Sequence, residues 1–153
     1  MPPKLGVISQ ARYLVDRPES FGAVVEQRVL RRLIADKLVA AIAEHHLTAT
    51  AAQRIHQVLS GHSLVQVSTW ADEVRSDGRY EGYSQWHYLD LPQRASATDQ
   101  THMLQRGHLG WAIDHVYRIL RHRIQDPMID EKTALKWLVH LVADGHQPLH
   151  FGY

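Results

Sequence analysis

The chain has 153 residues, 44% hydrophobic and 22% charged, about one domain's worth on the usual length scale. That balance excludes disorder and collagen-like order, and no apolar run approaches the ~20 residues of a membrane span. There is no cysteine and there are twelve histidines, so any metal here is held by nitrogen and oxygen alone. The net charge of +1 is unevenly spread. Residues 1–35 carry six Lys and Arg against three Asp and Glu, a net +3, whereas residues 36–153 carry eleven against thirteen, a net −2. A body at −2 is not basic enough to hold nucleic acid by Lys and Arg alone. If it acts on phosphates, another source of positive charge is required.

Residues up to Ser20 contain Pro2, Pro3, Gly6 and Pro18 and do not resemble a secretory leader. From Phe21 the spacing predicts a helix with Val25, Val29, Leu33, Leu38, Ile42 and Leu47 inward. Thr48 caps a second helix carrying Ala51, Ile55, Val58 and Leu59, which Gly61 ends. Ser63 opens a third, with Val67, Trp70 and Val74 inward. Residues 76–85 read as a loop and Trp86–Leu91 as a short extended stretch closed by Pro92. A long helix is predicted over 99–125, broken near Asp126-Pro127, and a last helix over 130–145, ending before Gln147-Pro148. No strand alternation competes. The fold class is all-α, helices packed on helices with long loops.

Three strings carry chemistry. The last helix runs into His140-Leu-Val-Ala-Asp144-Gly-His146-Gln-Pro-Leu-His150. Residues four apart on a helix lie one above the other, so His140 and Asp144 can present a ring nitrogen and a carboxylate to one metal ion. Pro148 then lets His150 turn back toward the same region. By periodicity alone, however, His140, Asp144, Lys136 and Thr133 form the solvated side of an otherwise apolar helix. The other two strings are Thr69-Trp70-Ala71-Asp72-Glu73-Val74-Arg75 and Gln85-Trp86-His87-Tyr88-Leu89-Asp90. Alone, Asp72 reads as a surface carboxylate beside Arg75, and His87 as a satisfied histidine among aromatics.

In this order the three strings resemble the S1/P1 nuclease family, whose pattern runs W-A-D-x-[IV]-R, W-H-Y-[IV]-D and H-x-x-G-D-x-H-Q-P-L-H. Ala143 stands where the family has Gly. The resemblance extends from about Asp36 to Phe151. It implies a helical bundle of the phospholipase C/P1 nuclease type, with residues 1–35 an atypical extension and 36–153 the N-terminal part of a zinc nuclease domain. It implies that Asp72, His87, His140 and Asp144 hold the deepest of three zinc ions, that Asp144 bridges to a second and takes part in catalysis, and that His150 is a ligand of a third. The implied substrates are single-stranded DNA or RNA and nucleotides bearing a 3′-phosphate. The alternatives are an inactive zinc-binding remnant and a zinc phospholipase C-like hydrolase.

Two family features are absent. The family's mature N-terminus, Trp followed by W-G-x-x-G-H, ligates one zinc; here Arg31 and Asp36 stand at the Trp and His positions. Asp36 can in principle ligate zinc, but a surface carboxylate is the favoured expectation, and the segment before it is expected to reflect a mis-assigned start or a disrupted frame. The family's later D-x-G-G-N string and H-x-x-x-D do not follow Phe151, so one well-formed zinc site is expected, with the C-terminal part of the fold missing. Apolar helix faces left open imply self-association. The family is secreted or periplasmic, and this chain shows no export signal.

The other histidines read as spectators. His108, His115 and His122 recur every seven residues on the long helix and are expected to form a solvated or partner-facing stripe. His45 and His46 sit at a helix C-terminus, where the dipole favours them. His146 points away from the 140/144 face, and His56, His62 and His102 carry no signal.

Overall fold

A computed structural model describes residues 21–75, 77–89, 106–147 and 150, with side chains from Leu30 onward. The chain divides into two compact units, Met1–Ala35 and Asp36–Tyr153. Of the first, the described part is helical. The second holds the core and the candidate site. Among the described residues there are six α-helices: α1 (Phe21–His45), α2 (Ala49–Val58), α3 (Leu64–Val67), α4 (Trp70–Glu73), α5 (Leu109–Leu120) and α6 (Glu131–Asp144). A 3-10 helix spans Gly78–His87. The sole β pairing among them is an isolated bridge between Asp126 and Ile129. The fold is all-α.

Local chemistry sets most boundaries. Thr48 accepts a hydrogen bond from the Ala51 amide and caps α2. Ser63 and Gln66 form a reciprocal capping box at α3, and Asp130 caps α6 through the Thr133 amide at 2.7 Å. The chain leaves α2 through left-handed Ser60 and Gly61, with the Gly61 amide on the His56 carbonyl at 2.8 Å. α5 ends the same way: His122 is left-handed at φ 52°, and the Arg123 amide donates to the Arg118 carbonyl at 2.9 Å. This stop falls short of the expected end near Gln125, because a histidine fills the position where glycine usually signals it. The start expected near 99 lies outside the described residues; within them α5 begins at Leu109.

Two clusters form the core. α5 contributes Leu109, Ala112, Val116 and Ile119, spaced three and four apart, against Ala134, Trp137 and Leu141 of α6. The second cluster joins Ala40 of α1 to Leu59, Leu64 and Val67, with Leu135 and Val139 of α6 packed on it. α6 therefore buries two faces at once.

Two readings of the sequence are corrected here. Leu38 and Ile42 are 59% and 53% exposed, whereas Asp36 and Ala40 are buried. At these two positions the buried residues lie two earlier in the helix, about 200° round it, whereas Leu47 packs on the second core cluster as expected. Residues 78–87, read as a loop running into an extended stretch, form the 3-10 helix. Tyr80, Tyr83 and Trp86 are three apart, and a helix with three residues per turn stacks them on one face. All three rings pack against Trp137, with centroids 5.2 to 6.3 Å from it. That aromatic packing favours the tighter helix over a loop.

Candidate metal centre

Three short elements bring the expected residues together. α4 carries Asp72, the 3-10 helix ends on His87, and the last turns of α6 carry His140 and Asp144. His87, His140 and Asp144 are at most 1% exposed. The solvated-face reading of the 140/144 pair is thereby overturned: α4 and the 3-10 helix pack over His140 and Asp144, while Thr133 and Lys136 of the same stripe stay half-buried.

The facing atoms are close. His87 Nδ1 lies 2.9 Å from Asp144 Oδ2 and 3.0 Å from His140 Nε2, and His140 Nε2 lies 3.1 Å from Asp144 Oδ2. Asp72 Oδ1 stands 3.9 Å from His87 Nδ1 and 3.8 Å from His140 Nε2. Asp72, His87 and His140 each offer one ligand atom within 4.8 Å of the others. Tetrahedral ligands at 2.0–2.2 Å from zinc are separated by about 3.3 Å, so the spacings bracket a zinc-sized shell. The donor types, two imidazoles and two carboxylates, suit zinc as well.

The surroundings orient these donors. His140 Nδ1 donates to the Ser68 carbonyl at 2.9 Å, which turns Nε2 toward the cluster. The His87 ring packs edge-on against Trp137 at 5.6 Å. The Leu89 amide donates to the His150 carbonyl at 2.6 Å. This holds His150 beside the cluster, with Nδ1 3.1 Å from Asp144 Oδ1. The two oxygens of Asp144 thus face different partners: Oδ2 the pair His87 and His140, Oδ1 the ring of His150.

Electrostatics follow from burial and these contacts. Burial pushes the Asp144 carboxyl up, but hydrogen bonds from His140, His150 and His87 more than reverse it, leaving the pKa far below the carboxylate range. Burial pulls His140 down, and the Asp144 carboxylate overcomes it, so His140 ends above its ordinary value. At His87 burial wins and the pKa falls. Asp144 is the last residue of α6, at the negative end of the helix dipole, where a carboxylate is disfavoured. A buried anion there needs a cationic partner.

Asp36 was expected at the surface. It is fully buried instead, with Oδ2 3.6 Å from His140 Nδ1, behind the ring rather than among the facing donors. Its signal in the sequence was its four-residue spacing from buried Ala40. Sequence reasoning also missed Ser68 and Trp137 as the groups that orient His140 and His87. The supposed stripe dissolves. His115 stacks on Trp111 at 4.5 Å and pairs with Asp126 at 2.8 Å, His108 caps the start of α5 by position, and only His122 of the three is exposed. His146 is exposed and bonded to the Val142 carbonyl, away from the cluster. His102 lies outside the described residues.

The helical body gathers histidine and carboxylate donors from three separated strings into a group that could hold a metal ion. Comparison with known proteins identifies the family. The S1/P1 Nuclease family matches over residues 36–153. The chain is 27% identical over 128 residues to Endonuclease 1 of Arabidopsis thaliana, covering 76% of this chain and 42% of that protein. It is 28% identical over 119 residues to Nuclease S1 of Aspergillus oryzae, covering 73% and 41%. It is 26% identical over 119 residues to Nuclease P1 of Penicillium citrinum, covering 73% and 44%. This chain belongs to the S1/P1 nuclease family. It spans less than half the length of these curated relatives. Among the described residues, no helix is long and apolar enough to cross a membrane.

Proposed function

We propose that this chain is part of a zinc-dependent phosphodiester hydrolase acting on single-stranded DNA or RNA and on 3′-phosphomonoesters. The observation that carries this reading is the convergence of His87 Nδ1, His140 Nε2 and Asp144 Oδ2 within 2.9–3.1 Å of one another, with Asp72 at the fourth corner. The names of the relatives, Endonuclease 1, Nuclease S1 and Nuclease P1, favour a nuclease over a phospholipase.

Asp72, His87, His140 and Asp144 would hold the zinc, and His150, beside Asp144, would be a ligand of a neighbouring ion. Zinc at such a site supplies Lewis acidity toward phosphate oxygens and acidifies water at neutral pH. The protein's part is positioning. Ser68 fixes the His140 ring, and Trp137 packs edge-on against the His87 ring. Asp72, at 20% side-chain exposure, is the open corner, so a phosphate arrives on its side. The deep Oδ2 of Asp144 stays with the two buried rings. Oδ1 faces the ring of His150 instead, 3.1 Å away. A unit with net charge −2 can then handle phosphate because the metal brings the positive charge.

The test is metal analysis of the purified chain together with hydrolysis of a single-stranded oligonucleotide. About one zinc per chain with hydrolysis supports the reading. Bound zinc without hydrolysis favours an inactive remnant, and no bound zinc at saturating metal refutes the centre.

A further inference from the structure

The 3-10 helix, the start of α5 and the turn after it enclose a cleft of about 520 Å3 that the proposed hydrolysis leaves unused. Its walls are Tyr83, Trp86, Trp111, His115, Asp126 and Arg106. Trp111 and His115 lie nearly parallel, 4.5 Å apart and 15° inclined. His115 Nε2 is fixed by Asp126 Oδ2 at 2.8 Å, and Asp126 Oδ1 accepts from the Met128 amide at 2.8 Å. The wall is therefore held rigidly. Arg106 is exposed, with its guanidinium 6.0 Å from the Trp111 ring. Gly82 and Gly107 line the cleft without side chains. A Cβ on Gly82 would meet nothing within 4 Å, and one on Gly107 would meet only the Gln85 side chain at 3.8 Å.

The other hollows lack this combination. The one between α1, α2 and α6 is lined by Val39, Ala43, Leu138 and similar apolar groups, with nothing to orient a ligand. The Trp111 cleft offers aromatic surface, a carboxylate with spare lone pairs and a cation at its edge. These match, in turn, a flat ring, an exocyclic amine and a phosphate, the three parts of a nucleotide. Trp86 in the cleft packs on Trp137 at 5.2 Å, and Trp137 packs on His87 at 5.6 Å. Two rings connect the cleft to the candidate metal centre.

We propose that this cleft binds one nucleotide of a single-stranded nucleic acid, its base against the Trp111–His115 wall and its phosphate on Arg106. This rests on the nuclease reading for the identity of the strand. A base in a duplex has its faces stacked and its edge paired, so the cleft selects unpaired nucleotides.

The test measures binding of a fluorescein-labelled single-stranded phosphorothioate dodecamer to the full chain by anisotropy, with a duplex of the same sequence beside it. Arg106→Ala should weaken single-strand binding roughly ten-fold and reduce its salt dependence by about one phosphate contact. Trp111→Leu should weaken it by about five- to a hundred-fold. Zinc content should stay unchanged in Arg106→Ala, and the duplex should bind more weakly than the single strand. Because Trp111 is half-buried, the exposed-site variant Arg106→Glu supplies a second readout independent of folding. The proposal is overturned if Arg106→Ala and Arg106→Glu bind like the parent, or if the parent does not bind the dodecamer. The two readings fail separately. Arginine-dependent binding without hydrolysis removes the catalytic reading and keeps the cleft. Hydrolysis with an unchanged KM in Arg106→Ala removes the cleft and keeps catalysis.

Discussion

Asp144→Asn tests the metal centre most directly. The change keeps the shape of the side chain and removes its charge. In metal-free protein the new amide can still donate to a ring nitrogen, since His87 Nδ1 and His140 Nε2 lie 2.9 and 3.1 Å from Oδ2. The metal-free variant should therefore stay folded. Zinc that binds only the folded chain adds about 2.7 kcal/mol at one hundred times its Kd. Unfolding entropy of about 2.1 cal/mol/K per residue over the roughly 120 residues of the second unit comes to about 0.25 kcal/mol/K, so the expected rise in Tm is about 11 °C. Losing a direct ligand should cost at least the ~100-fold at the upper end of outer-shell changes. At the same zinc concentration the variant then gains only about 0.4 kcal/mol, or about 2 °C. The assay is a pair of thermal melts, with zinc and with chelator, for both proteins. Equal zinc-dependent shifts in parent and variant, or no shift in the parent, would refute the reasoning.

Further outcomes follow from the packing and the caps. Trp137→Ala removes a ring that is 1% exposed and touches Trp70, Tyr80, Tyr83, Trp86 and His87. It should cost about 3–5 kcal/mol and collapse the near-ultraviolet circular dichroism. Asp130→Ala removes the α6 cap and should cost about 1 kcal/mol by urea denaturation. His122→Gly relieves a left-handed histidine and should add about 0.5–1 kcal/mol, seen as a higher urea midpoint at unchanged m-value. Burial pushes the Asp126 carboxyl up, but the His115 hydrogen bond and the Met128 amide bring it below the ordinary 3.8. Its stabilisation is then present above pH 3.8 and lost as the pH falls through the lower folded value. Asp126→Asn should flatten the acid limb of stability against pH, and an unchanged limb would contradict the pairing.

How much the sequence disclosed depended on whether the signal was local. α2 and α6 were legible because Thr48, Gly61 and the apolar run 134–142 speak through nearest neighbours and helical period. The 3-10 helix was hidden because a period of three over Tyr80, Tyr83 and Trp86 resembles no common template, and Gly78 and Gly82 argued for a loop. The burial of Asp36 and the pairing of His115 with Asp126 were hidden for a different reason. Each depends on elements distant in sequence or on a turn that no period encodes. The three motif strings gave the site residues their identity, but their convergence is a tertiary fact.

The same contrast explains why periodicity misjudged His140 and Asp144. Local rules place a polar pair on the outer face of α6 and disfavour a carboxylate at its last residue. The structure breaks both rules at one spot, burying His140 and Asp144 fully and bringing His87 onto them. Apolar replacements there would satisfy local preference and pack without an uncompensated charge. Sites where local and global demands disagree are where function is sought. Here the disagreement is confined to side chains that can bind a cation, while the walls around them, Trp86, Trp137 and Leu141, are ordinary core. The proposed cation binding would account for a polar cluster that local folding preferences disfavour.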